Sequence, residues 1–201
     1  MFQQELDFKL PLTNSIVVDG LGKHLVPTSN ESCCADMDVG HYGCNGSLGQ
    51  TLAERCNDAT TYTTKVVQKG KRYLLRLING SASTSYRVSI DNHTMQVISN
   101  DLVPIKPYKT ETINIGIGQR YGVIVEADQV PGNYWIRTDM LTGCSNMDPL
   151  GNSTTTAIWR YEGQDEKALP TSTTQNPIPA AGLPCVDEPY ASLVPVVPCK
   201  H

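Results

Sequence analysis

Between residues 70 and 161 the chain alternates apolar and polar side chains in short runs, and turn-forming residues separate one run from the next. Tyr73, Leu75 and Leu77 alternate with Leu74, Arg76 and Ile78, and the run stops at Asn79-Gly80. Tyr86, Val88 and Ile90 alternate with Arg87 and Ser89 and stop at Asp91-Asn92. Met95 to Ile98 is another short run, followed by Ile113, Ile115 and Ile117 around Asn114 and Gly116, then Tyr121, Val123 and Val125. Tyr134-Trp135-Ile136 and Ala157 to Tyr161 complete the series. A period of two is the repeat of a strand, whose successive side chains face opposite sides of a sheet. Many such runs with turn signals between them specify an antiparallel sandwich or barrel. No stretch carries the repeat of an amphipathic helix, and no internal repeat is evident. The chain is all-β.

The flanks differ from this centre. Ile16-Val17-Val18 is a short extended run ending in the turn Asp19-Gly20. Residues 30 to 60 hold Cys33, Cys34, Cys44 and Cys56 among Asn, Gly, Asp and Ser, without strand or helix periodicity. A loop of that length is usually functional or pinned by disulfides. From Gly163 onward Pro, Thr, Ser and Ala dominate, the composition of an irregular connector. The expected division is a β domain over residues 1–162 and a connector over 163–201.

The 201 residues suffice to bury a core without help from a cofactor. A net charge of -4 with 18% charged residues steers the surface toward neither nucleic acid nor anionic membrane. No apolar run approaches the ~20 residues of a membrane span. Seven cysteines and Asn-x-Ser/Thr triplets at Asn30, Asn45, Asn79, Asn92 and Asn152 together point to an oxidising, secretory compartment. Asn79, at a strand end, is the least suited of the five to carry a glycan. Met1 leads directly into Phe2-Gln3-Gln4-Glu5, without a basic and apolar leader. Export is then expected to depend on another segment, or the chain is part of a longer precursor. The odd cysteine count leaves one thiol free or paired outside the chain.

Candidate chemistry is sparse. A type 1 copper centre needs two imidazoles and a thiolate, usually with an axial Met. The histidines are His24, His41, His93 and His201, and none stands in a His-x-His pair. Cys199-Lys200-His201 lacks the remaining ligands. Cys33-Cys34 is adjacent, and no Cys-x-x-Cys pair begins a tetrahedral zinc set. His93, between two expected strands, reads as a hydrogen-bonded structural histidine. No Gly-x-Ser-x-Gly nucleophile turn occurs. Gly116-Ile117-Gly118-Gln119 joins two strands, so it is a turn and not a phosphate loop. Asp101, Glu111 and Glu126 read as solvated carboxylates at strand ends or faces.

Four stretches in order carry a family likeness: Gly70 to Asn79, Ile90 to Met95, Gly118 to Val125, and Asn133 to Arg137. With Leu10-Pro11-Leu12-Thr13-Asn14-Ser15 and Asp19-Gly20-Leu21-Gly22-Lys23 ahead of them, they resemble the second domain of three-domain multicopper oxidases, the fungal laccases especially. The likeness runs from about residue 10 to residue 161 and is weakest over residues 30–60.

That resemblance implies a cupredoxin-like Greek-key sandwich with a long cysteine-rich loop. It implies that this chain holds no copper, catalyses nothing alone, and serves as the structural and substrate-pocket domain of a secreted oxidase. The parent enzyme would use copper, bound by flanking cupredoxin domains, to oxidise phenolic small molecules and reduce oxygen to water. The absence of copper agrees with the ligand count made from the residues. The resemblance further implies a substrate-facing carboxylate ahead of the Gly70-Lys71-Arg72 strand, with Asp58 nearest and Glu54 next. Met140 and Leu141 would supply apolar wall contacts. It also implies a disulfide Cys144–Cys185, which would restrict the unfolded chain by about 3–4 kcal/mol. Cys33, Cys34, Cys44, Cys56 and Cys199 keep their pairing open. The alternative is a stand-alone secreted binding module of non-enzymatic β-sandwich type, with residues 30–60 as its recognition surface.

Overall fold

The computed structural model describes residues 18–19, 62–81, 84–144 and 154–197. Among them are nine strands in two sheets. They are β1 (Thr64–Val67), β2 (Arg72–Ile78), β3 (Tyr86–Ile90), β4 (Met95–Asn100), β5 (Val103–Thr110), β6 (Thr112–Ile115), β7 (Arg120–Glu126), β8 (Asn133–Met140) and β9 (Thr154–Tyr161). One sheet has the order β1-β9-β8-β3-β6 and the other β2-β7-β4-β5. All pairings are antiparallel except β1 with β9, which is parallel. Successive strands repeatedly change sheet, as in a Greek-key sandwich. The helical elements among the described residues are two three-residue 3-10 turns, at Thr142–Cys144 and Tyr190–Ser192. Among the described residues no helix is long and apolar enough to cross a membrane.

The expected alternation sorts the side chains. Tyr86, Val88, Ile90, Met95, Val97, Ile113, Ile115, Tyr121, Val123, Val125, Trp159 and Tyr161 all point into one core between the sheets. Tyr73, Leu75 and Leu77 pack against it, while Leu74 and Ile78 on the opposite face of β2 are exposed. Each fully buried residue of this size contributes ~1.5–3 kcal/mol of transfer free energy.

Three expectations of detail fail. Ile117 is not part of a strand: β6 stops at Ile115 and Ile117 sits in the turn, 52% exposed. β1 is an unanticipated strand, paired in parallel with β9 and anchored in the core by Val67. β5 is another, because Pro104 and Pro107 obscured its pattern. Both prolines are tolerated there because β5 is the edge of its sheet and needs no outward N–H at every position. The Gly116–Gln119 segment is the expected turn: Gln119 N–H donates to Gly116 O, and Gly118 adopts φ +74°.

Residues 163–197 form no strand beyond an isolated bridge between Ile105 and Pro195. They pass across the outer face of the five-stranded sheet and then beside β5.

Candidate functional site

The segment after β8 is where the resemblance puts a pocket wall and a disulfide. Leu141 N–H donates to Ser85 O at 2.9 Å, after which the chain enters the Thr142–Cys144 turn. Gly143 N–H donates to Leu183 O at 2.9 Å, and Leu183 N–H donates to the Thr142 hydroxyl at 3.1 Å. Two glycines permit this approach. A Cβ on Gly143 would lie 2.7 Å from the Cys185 nitrogen, and one on Gly182 (φ +79°) would collide with the Thr142 hydroxyl. The backbones at 142–144 and 182–185 are thereby laid against each other, and Cys185 is disulfide-bonded. Met140 and Leu141 are 2% and 3% exposed. Met140 belongs to the central core.

Glu54 and Asp58 lie outside the described residues. So do Asn30, Asn45 and Asn152, the histidines His24, His41 and His201, and the cysteines Cys33, Cys34, Cys44, Cys56 and Cys199. The two remaining sequons contrast. Asn92 is exposed at the tip of the Ile90–His93 turn with φ +61°, and Thr94 is exposed beside it. Asn79 is buried: its amide donates to Thr84 O and Ile115 O, and its Oδ1 accepts from Ser81 N–H and the Ser81 hydroxyl. A side-chain amide so engaged cannot receive a glycan in the folded domain.

His93 has both ring nitrogens engaged. Nδ1 lies 2.8 Å from Asp91 O and Nε2 lies 2.9 Å from the Tyr161 hydroxyl. A carbonyl only accepts, so Nδ1 carries the proton and Nε2 accepts from Tyr161. The Tyr161 oxygen in turn accepts from Gln129 N–H at 3.0 Å. The imidazole is packed edge-on against Tyr134 and Trp159. Burial holds its pKa below the ordinary histidine value, partly opposed by the bond to Asp91 O and by the nearby Asp128 and Asp91 charges. Burial likewise pushes the Tyr161 phenol up to about 12. These contacts leave a neutral, fully bonded ring with no free lone pair for a metal. Among the described residues no group of three His, Cys, Asp or Glu side chains could hold a metal ion, so the described donor set does not fit copper.

The largest polar assembly was not anticipated from sequence. On the outer face of the five-stranded sheet, Arg87 of β3 pairs with its cross-strand partner Asp139 of β8 at 2.8 Å. Asp139 also accepts from the Thr154 hydroxyl at 2.8 Å. One position along, Arg137 forks onto both oxygens of Asp91 at 2.7 and 2.8 Å. Asp91 and Asp139 are buried, and the Asp91 bonds raise the Arg137 pKa. The connector closes over this ladder. Ser172 donates its hydroxyl to Asp91, Trp135 N–H donates to the same hydroxyl oxygen, and Arg137 donates to Ser172 O. Arg87 donates to Asn176 O at 2.7 Å. Farther on, the buried Glu188 accepts from Asn114 N–H at 2.7 Å and from the Tyr108 hydroxyl at 2.9 Å. Asn114 lies on β6 and Tyr108 on β5, edge strands of different sheets. Glu188 therefore satisfies an edge N–H and bridges the two layers. Burial and the Glu188 charge raise the Tyr108 pKa.

Arg87 and Ser89 were visible as polar outward positions, but their neighbours Arg137 and Asp139 needed the strand register. Asp101 and Glu111 behave as surface carboxylates: Asp101 meets Arg120 at 3.7 Å, and Glu111 accepts from Asn176.

The geometry has counterparts among known proteins. The family model for multicopper oxidases matches residues 11–164. A laccase of Arthroderma benhamiae is 35% identical over 202 aligned residues, covering 98% of this chain and 26% of that protein. Laccase-2 of Botryotinia fuckeliana is 48% identical over 130 residues, covering 63% of this chain and 21% of that protein. The crystal structure of the laccase from Botrytis aclada superposes with a TM-score of 0.60 at 46% identity, covering 69% of this chain and 24% of that one. The chain thus spans a quarter or less of the length of two of these three relatives and 26% of the third. With a family match over most of its residues and a fold that superposes on a laccase, the chain belongs to the multicopper oxidase family.

Proposed function

We propose that this chain is the middle, copper-free domain of a secreted laccase-like oxidase. In this reading it holds two flanking cupredoxin-like domains in register and lends loops to a phenol-binding pocket between domains. The observation that carries it is His93. With both nitrogens committed to Asp91 and Tyr161, this histidine supports the sandwich and is not available as a ligand. Copper, supplied by the other domains, would take electrons one at a time from phenols and deliver them to oxygen, giving water. This chain's contribution is binding and positioning.

Asp58, with Glu54 as the second choice, is the proposed carboxylate that accepts the phenolic proton as the electron leaves. Leu141 and Met140 sit at the root of the proposed wall, where their burial fixes the backbone of the following loop. Cys144 is the proposed partner of Cys185, supported by the close approach at Gly143 and Gly182. Asn92 is the proposed glycan site among the described sequons, with Asn30, Asn45 and Asn152 as further candidates.

The test is copper analysis with oxygen-consumption assays on this chain and on the full-length product. The chain alone should be colourless and inactive, and the full-length product copper-loaded and active. Stoichiometric copper with a blue or EPR signal in the isolated chain would overturn the reading. In the full-length enzyme, Asp58→Ala should slow phenol oxidation and shift its pH profile. An unchanged profile removes that assignment.

A further inference from the structure

The hairpin joining β4 to β5 turns through two residues, Asp101 and Leu102, with φ +44° and +73°. Positive φ at both central positions defines the tight hairpin turn that favours Asn-Gly, because a Cβ there crowds the following carbonyl oxygen and only glycine, or a short side chain that bonds the local backbone, escapes the cost. A leucine in that conformation is unfavourable, and it gains nothing from the domain: Leu102 is 82% exposed. Strain of this kind persists where the residue is used.

The surroundings supply a use. Asp101 N–H donates to Arg120 O, and Arg120 pairs with Ile78 on β2, which sets the hairpin tip at the same end of the sheet as Ile78 and the Ile117 turn. Val196 N–H donates to Pro104 O, and Pro195 bridges to Ile105, which lays the connector's last described residues along β5 next to Val103. Ile78, Leu102, Val103, Ile117, Val196 and Val197 are all 49–82% exposed. The one ion pair among them, Asp101 with Arg120, is internally matched. An apolar rim of this kind marks an interaction surface.

We infer that this end of the four-stranded sheet, with Leu102 as its projecting anchor, docks into an apolar depression on the domain that follows in the parent oxidase. The inference rests on the middle-domain reading above. Two observations select that occupant: the relatives are about four times longer than the stretch they share with this chain, and residues 193–197 carry the chain along this same corner.

The test compares hydrogen exchange in the full-length enzyme and in this chain, with and without Leu102→Asn. The Leu102 and Val197 amides should exchange at least tenfold more slowly in the full-length enzyme. Asparagine tolerates positive φ, so the substitution should raise Tm of this chain alone and lower Tm of the full-length enzyme. Leu102→Gly should act in the same sense. Equal exchange in both proteins, in a copper-loaded and active enzyme, overturns the docking surface and leaves the middle-domain reading intact. A parent gene without further cupredoxin domains removes both. Protection already present in the monomeric chain would assign the rim to this chain's own residues 20–61. Concentration-dependent dimerisation abolished by Leu102→Asn would assign it to a second copy. Either result overturns the inference.

Discussion

The two sheets of this sandwich treat their outer faces in opposite ways. On the five-stranded sheet the outward side chains include Ser89, Asp91, Asp139 and Arg160, polar or charged yet buried, and the connector lies over this face. On the four-stranded sheet the outward side chains include Leu74 and Ile78, and they are 54% and 67% exposed. The first face is covered by the chain itself, and the second, where Leu74 and Ile78 stand among Arg72, Arg76, Arg120 and Glu126, is left open. The reason lies in hydrogen bonding. An irregular connector has backbone groups that need partners, and a ladder of Arg and Asp supplies them. Arg87, Arg137 and Arg160 each donate to a connector carbonyl, at Asn176, Ser172 and Glu166.

The strongest way to break this contrast is to remove the centre of the covered face. Asp91→Ala leaves the Arg137 guanidinium without its carboxylate and Ser172 without its acceptor. The pair is mostly buried, at 20% and 1% side-chain exposure. The expected cost is about 3 kcal/mol, at the lower end for a broken buried pair because Arg137 is partly wetted. Denaturant unfolding of the isolated chain measures it, and a loss under about 1 kcal/mol would show that the ladder does not hold the connector.

Cys185→Ser should cost a similar amount, about 3 kcal/mol, within the loop-entropy ceiling and less where the cross-link is strained. It should also release the Cys144 thiol to alkylation. Non-reducing peptide maps that find Cys144 bonded elsewhere would refute that pairing.

Acidification provides a smaller, graded test of the core beside this face. The folded-state pKa of His93 is lowered, so the folded protein favours the neutral ring. Its contribution is present above the unfolded value near 6.5 and is lost as pH falls through the lower folded value. Stability should therefore decline below about pH 6.5, and His93→Gln should flatten that part of the curve. A decline of the same depth in the variant would assign the effect to other groups.

The smallest effect belongs to the open face. Leu74→Ser should change the stability of the isolated chain by no more than about 0.5 kcal/mol, because its side chain is already largely in water. A loss above 1.5 kcal/mol would mean that something within this chain covers that face.

Much of the fold was legible in the sequence. Alternation identified β2, β3, β6 and β7 and the side each presents to the core, because the pleat ties every second residue to one face. It missed β1, whose Thr64-Lys65-Val66-Val67 is too short to show a period and is fixed by β9. It also missed β5, where two prolines resemble a loop until an edge position accommodates them. Of the candidate site, His93 was legible as a structural residue because its spacing from other donors is wrong for a metal. The ladder of Asp91, Arg137, Arg87 and Asp139 was not.

What the sequence determined by itself was therefore periodicity and donor count: an all-β chain, without paired histidines, carrying the ordered motifs of one oxidase domain. Tertiary structure alone decided which charges meet and which surfaces remain open. Arg137 and Asp91 are 46 residues apart, and Ser172 and Asp91 are 81 apart. Contacts at such separations depend on strand order and register, which no local pattern encodes.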